Sequence, residues 1–237
     1  MTWGELIGPA VVAAIVSGVI SVVGMIVNRS TLIRMHGERL NKDEALADRK
    51  VAADIALAKQ KFDYDRAQAV FRRRFELAEQ LLADAYLFRS LMKHVRSGFS
   101  MGGEGESRPP QDGESQAVKR SRDNYFVPLE RLRKEDDFLA AMFARRTSSQ
   151  AHFGPDAENA FALFHEGLHL VRVASSLLIE WTRDHETVDG ELMEKLRRDI
   201  WQPMAQHAGQ DEIGGKIEEG VQIIERLCRP VLAWVGS

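Results

Sequence analysis

Residues 6–27 read LIGPAVVAAIVSGVISVVGMIV, without a charged side chain; beyond them apolar residues recur at intervals of three and four among charged ones. A hydrocarbon core of ~30 Å is crossed by about 20 apolar residues in a helix. The first pattern therefore predicts a transmembrane helix and the second predicts helices facing water. A cleaved signal peptide has a basic start, a shorter apolar run and an Ala-x-Ala-like cut site. MTWGE has no Lys or Arg and the run is long, so a retained anchor is expected.

The next stretch, 41–95, has neither proline nor glycine and is dominated by strong helix formers. It predicts one long helix, started by a capping box at Asn41 and Glu44 and separated from the span at Gly37; one continuous helix out of the bilayer is the rival description. Its first half carries a narrow stripe of Leu40, Ala47, Val51, Ile55, Ala58, Phe62 and Ala69, in which Leu40, Val51 and Phe62 are spaced by eleven. Such a stripe suits a helix that pairs with one partner, whereas from Phe71 onward apolar residues cover most of the circumference, as in a bundle.

Residues 97–124 are rich in Gly, Ser, Pro and charge and predict a flexible loop with almost nothing to bury. Further helices are expected over 125–146, with Pro128 in the first turn, from Pro155, from Thr187 or Asp189, and from Asp211. The third of these uses Leu192, Leu196 and Ile200 and stops or kinks at Pro203. Trp181, Trp201 and Trp234 are expected to share a core. Nothing alternates with the period of a strand, so the fold class is all-α, with a single N-terminal transmembrane helix, a helical stalk and a cytoplasmic bundle. The domains expected are an anchor at 1–28, a juxtamembrane stalk at 29–70 and a bundle at 71–237.

Charge adds an orientation. Arg29, Arg34, Arg39 and Lys42 follow the span and no basic residue precedes it. Basic flanks stay in the cytoplasm, which predicts an inner-membrane protein with its N-terminus outside, Trp3 at the interface and the bundle in the cytoplasm. The lone Cys228 fits a reducing compartment. Overall, 32 basic against 35 acidic residues, a net charge of −3, does not call for nucleic acid. The partners expected are membrane lipid, further copies of the chain and a cytoplasmic protein. Within the span, Ala10, Ala14 and Gly18 recur every four residues and leave room for a second helix backbone.

One motif suggests chemistry. His165-Glu166-Gly167-Leu168-His169 matches H-E-x-x-H, in which two histidines one turn apart bind zinc and the glutamate polarises a bound water. A third ligand would have to come from Glu186, Glu191, Glu194 or His207. The helical wheel argues against a site, because Phe161, Phe164, Leu168 and Val171 form the buried side and His165 and His169 fall on a polar flank with Glu158 and Arg172. A Gly-rich phosphate loop, G-x-S-x-G and Cys-x-x-Cys are all missing from the sequence. The pattern thus supports a non-enzymatic scaffold without cofactor, self-associating through Leu40, Val51, Ile55 and Phe62. The alternatives are a tethered zinc hydrolase with Glu166 as base and His165 and His169 as ligands, and an oligomeric membrane-permeabilising effector gated by its cytoplasmic domain.

Overall fold

The computed structural model describes residues 8–182, 189–202 and 211–233. Among these the chain is all-α, and it divides between Gln68 and Ala69 into two units. Helix α1 (Pro9–Val95) supplies the first unit and the opening of the second. It runs through Asn41 and Gly37 without a break, so the capping box starts nothing and the continuous description holds. A single helical glycine costs only ~1 kcal/mol, too little to stop a helix of good formers on both sides. Where the apolar run ends, the Ser30 and Thr31 hydroxyls donate to the Val27 carbonyl at 2.9 and 2.8 Å, which satisfies both within the helix.

The second unit is a bundle of the α1 C-terminal segment with α2 (Gln116–Lys134), α3 (Asp136–Ala144), α4 (Arg146–Phe153), α5 (Pro155–Trp181), α6 (Gly190–Ile200) and α7 (Glu212–Leu232). Helix α5 is the centre and packs against α2, α4, α6 and α7. It is itself long and apolar enough to cross a membrane; here that apolarity is spent on the core. Phe88 of α1, Phe161 and Phe164 of α5, and Ile213, Ile217 and Ile224 of α7 are buried together, with the Phe88 and Phe164 rings 4.9 Å apart. A second cluster gathers Tyr125, Leu178, Met193, Leu196 and Ile200, with Trp181 and Trp201 packed against it. Trp234, Pro203 and Thr187 lie outside the described residues.

Three local expectations are corrected. The helix expected over 125–146 begins earlier, at Gln116, with Pro128 inside it, and ends at Lys134. A tight turn at Glu135, whose N–H donates to the Leu132 carbonyl at 3.0 Å, separates it from α3, and Leu132, Leu139 and Met142 all enter the core. Helix α4 was not expected, since its sequence RTSSQAHF is largely polar; only Ser149 and Phe153 are buried. On α6 Leu192 is exposed and Met193 takes the buried position beside Leu196 and Ile200, because those three lie at spacings of three and four on one face.

Glycine sets how closely α5 and α7 approach. A Cβ added at Gly220 would lie 2.6 Å from the Phe164 ring, whereas one at Gly167 would meet Ile217 at an ordinary 3.4 Å. Phe164 is hemmed in by Phe88 and Phe161 and has nowhere to move. Gly220→Ala is therefore expected to lose about 1–3 kcal/mol through overpacking, less the ~1 kcal/mol gained in helix propensity. Gly167→Ala should be neutral or slightly stabilising. Urea unfolding of the two variants checks the contrast; equal effects would refute this account of the packing.

Residues 97–124 are the main departure from expectation. Its last nine residues, 116–124, belong to helix α2, capped by the Ser115 side chain on the Val118 N–H at 3.2 Å. The remainder is pinned by ion pairs. Arg108 reaches Glu114 at 2.8 Å and Asp123 at 3.0 Å, and Arg122 reaches Glu114 at 2.6 Å. Gly105, at φ 93°, lies so close to the Asp123 carbonyl that only a residue without Cβ fits. Hydrogen bonds from Arg108 and then Arg122 outweigh desolvation and hold the Glu114 carboxyl down at about 2. Low apolar content predicts disorder, but here buried arginine–carboxylate contacts replace the missing core.

Two more arginines close helix ends, Arg131 at α1 and Arg96 at α6. Arg131 of α2 donates to Glu104 through Nε and Nη2, both at 2.7 Å, and to the carbonyls of His94 at 2.7 Å, Ser97 at 3.0 Å and Phe99 at 2.8 Å. Carbonyls of a last helical turn have no partner within the helix, and Arg131 supplies one from outside. Arg96 does the same for α6: it donates to the carbonyls of Arg198 at 3.1 Å and Asp199 at 3.0 Å, and pairs with Asp211 at 2.8 Å. Asp211 in turn caps α7 by accepting from the Gly214 N–H at 2.9 Å.

Candidate functional site

Two sets of residues were candidates from the sequence, and the structure treats them differently. His165 and His169 lie one turn apart on α5 with their rings stacked, 6.4 Å between centroids and 5° between planes. Both are exposed, and His165 presents itself edge-on to the half-buried Phe143. Between them Glu166 pairs with Lys216 of α7 at 3.2 Å. Lys216 also contacts Glu212 at 3.5 Å, and its pKa is raised, first by the hydrogen bond with Glu166. Gly167 and Leu168 are the buried members of the motif, and Gly167 faces Ile217.

A zinc site needs at least three converging ligands. Among the described residues no group of three His, Cys, Asp or Glu side chains is placed to hold a metal ion. Glu191 and Glu194 are exposed on α6; Glu186 and His207 lie outside the described residues. Two residues of the motif thus serve the α5–α7 seam, Gly167 against Ile217 and Glu166 against Lys216, while Leu168 is buried in the core and the two histidines are exposed. Glu166→Gln is expected to leave the melting temperature unchanged, since exposed ion pairs contribute little. Zinc titration of the same variant and of the parent, followed calorimetrically, should give equal responses. Stoichiometric zinc binding that Glu166→Gln or His169→Ala alters would overturn this.

Cys228 is buried, with its thiol pushed up to about 11 by burial. A thiol that stays protonated is a poor nucleophile, so it acts as a small core side chain.

The second candidate set lies on α1 in the first unit. Leu40, Val51, Ile55 and Phe62 are 67%, 57%, 64% and 66% exposed on a stretch of helix left uncovered among the described residues. Leu46, Leu57 and Tyr64 are as exposed on another side of the same helix; the narrow stripe read from the sequence left them out. Toward the N-terminus every described apolar residue of the span is exposed as well, from Val11 to Val27. Ala14 and Gly18 stand on this surface, with open space around Gly18; the side chain of Ala10, and Trp3 altogether, lie outside the described residues. Monomeric soluble proteins rarely expose contiguous apolar patches above a few hundred Å². A helix with eleven exposed large apolar side chains between Val11 and Val27 alone is built to be covered.

No family model matches the chain, and neither a curated protein nor a solved structure matches it. Its function is therefore argued from its own surfaces.

Proposed function

We propose that the chain is a single-pass membrane-anchored helical scaffold whose stalk self-associates and whose bundle is offered in the cytoplasm to a protein partner. One observation carries this reading: the first unit's helix exposes apolar side chains along its whole length, in two regimes. Up to Val27 they surround the helix, as hydrocarbon requires. After Arg29 they narrow to rows between charged residues, as contact with other helices in water requires. The basic flank of Arg29, Arg34 and Arg39 supports a cytoplasmic stalk.

The test uses the full chain in its membrane. Alkaline carbonate should leave it in the pellet, and protease added to sealed inner-membrane vesicles of known orientation should reach the bundle only from the cytoplasmic face. Release by carbonate would remove the anchor; cleavage from the opposite face would reverse the orientation. For the zinc hydrolase reading, no third ligand converges with His165 and His169 among the described residues.

A further inference from the structure

Three successive segments of the stalk, MHGERLNKDEA, LADRKVAADIA and LAKQKFDYDRA, occupy residues 35–45, 46–56 and 57–67. Aligned, they form an eleven-residue repeat that extends well beyond the spacing of Leu40, Val51 and Phe62. The first position is Met35, Leu46 and Leu57; the fifth is always basic, Arg39, Lys50 and Lys61; the ninth is always Asp43, Asp54 or Asp65; the eleventh is always alanine. All these residues lie in α1, and all are exposed.

Eleven residues in three turns give about 98° per residue. On that wheel the repeat draws two apolar rows centred ~120° apart. One contains Leu40, Val51 and Phe62 with Ala47 and Ala58. The other contains Met35, Leu46 and Leu57. The narrow arc between them holds only the charged columns, with the aspartates next to the Val51 row and the basic residues next to the Leu57 row. None of the six charges has an ion-pair partner within the chain among the described residues, whereas the next pair along, Arg72 and Glu76, closes at 3.1 Å.

Resting on the reading of a membrane-anchored, self-associating stalk, we infer that its occupant is further copies of this chain, arranged as a parallel closed ring in which the Val51 row of each helix packs on the Leu57 row of the next. Anchors in one membrane make the copies parallel and bring equivalent repeats to one height. Charge then chooses between arrangements. A two-fold pair through the Val51 row would set the aspartate column against that row's far edge, which carries Glu44, Ile55 and Arg66; Asp43 would meet Glu44, Asp54 would meet Ile55 and only Asp65 would meet an opposite charge, at Arg66, so this arrangement gains nothing net from charge. The ring contact sets the aspartate column of one helix beside the basic column of its neighbour in all three repeats. Like charges across such a contact are destabilising and opposite ones set partner choice. A two-fold pair also leaves the Leu57 row bare. Equal corners of ~120° correspond to a ring of about six helices.

The experiment is disulfide cross-linking of the full chain in isolated membranes, with Leu57→Cys and Ala58→Cys, which differ in height by one residue and stand on different rows. Copper-phenanthroline oxidation of the double variant should give, on a non-reducing gel, a ladder that climbs past the dimer, ends at the ring number and collapses on reduction. Each single variant alone should remain monomeric, and their co-expression should give dimers. Wild type, with only the buried Cys228, is the blank. Dimers from Ala58→Cys alone, with no ladder from the double variant, overturn the ring while leaving self-association in place. Absence of cross-links in every sample removes both. Reversing the column with Asp43→Lys, Asp54→Lys and Asp65→Lys should abolish the ladder, and adding Arg39→Asp, Lys50→Asp and Lys61→Asp should restore it. A ladder indifferent to both changes refutes the charge pairing.

Discussion

Arg131→Met is expected to destabilise the bundle by about 3–5 kcal/mol, the usual cost of removing one member of a buried ion pair. The side chain is 3% exposed and its partner Glu104 16%. Without the guanidinium, the carbonyls of Ser97 and Phe99 lose the donor Arg131 gave them, the His94 carbonyl keeps only the Ser97 N–H, and the Glu104 carboxylate keeps only the Met101 N–H. At ~2–4 °C per kcal/mol for a domain of this size, the melting temperature should fall by about 10 °C. Arg131→Lys keeps the charge, yet one ammonium cannot span Glu104 and three carbonyls, so it should recover less than half of the loss. A fall of only 1–2 °C for Arg131→Met would show that the contacts are dispensable.

The same contact predicts a pH response. The carboxyl of Glu104 is held below its ordinary value of 4.5, first by the Arg131 hydrogen bond, and that of Glu114 is held at about 2. A depressed folded-state value means that the unfolded chain binds more protons in this range. The contribution is complete above pH 4.5 and is lost as the pH falls toward the folded values. Stability of the parent should drop on acidification below about pH 4.5, and Arg131→Met should show a shallower slope there, since the hydrogen bond that does most to lower Glu104 is then gone.

Val51→Asp combined with Phe62→Asp should dissociate the assembly and leave the bundle intact. Burying a side chain of this size stabilises a contact by ~1.5–3 kcal/mol. Two losses per interface, compounded by the cost of burying a carboxylate, weaken association by more than about 100-fold. Mass photometry in detergent reads the particle size, and thermal melting of the bundle is the control. An unchanged particle would remove the stripe from the interface. Because both residues lie in the first unit, a fall in bundle stability is not expected.

The element types were legible because period and punctuation survive folding. Pro155, Asp189 and Asp211 mark helix starts, and steps of three and four mark the buried faces of α5 and α7. Boundaries failed where a side chain far along the chain decided them. The apolar content around Arg108 and Arg131 is low, so local reading expected a loop with nothing to bury; their partners lie on α1, α2 and the loop itself. Leu192 and Met193 are adjacent and similarly apolar, and only the surface that α5 presents selects Met193. In the candidate sites, the helical wheel placed His165 and His169 on a polar flank, and both are exposed. That Glu166 is taken by Lys216, 50 positions away, no pattern within one helix could state.

From sequence by itself came the all-α class, the long apolar N-terminal helix and the stalk's eleven-residue spacing, all of which depend on the backbone geometry of one helix. Tertiary structure alone decided the ordered loop, the arginine closures at the ends of α1 and α6, and the α5–α7 approach at Gly220, because each joins groups that are distant in sequence and gain their energy only when desolvated together.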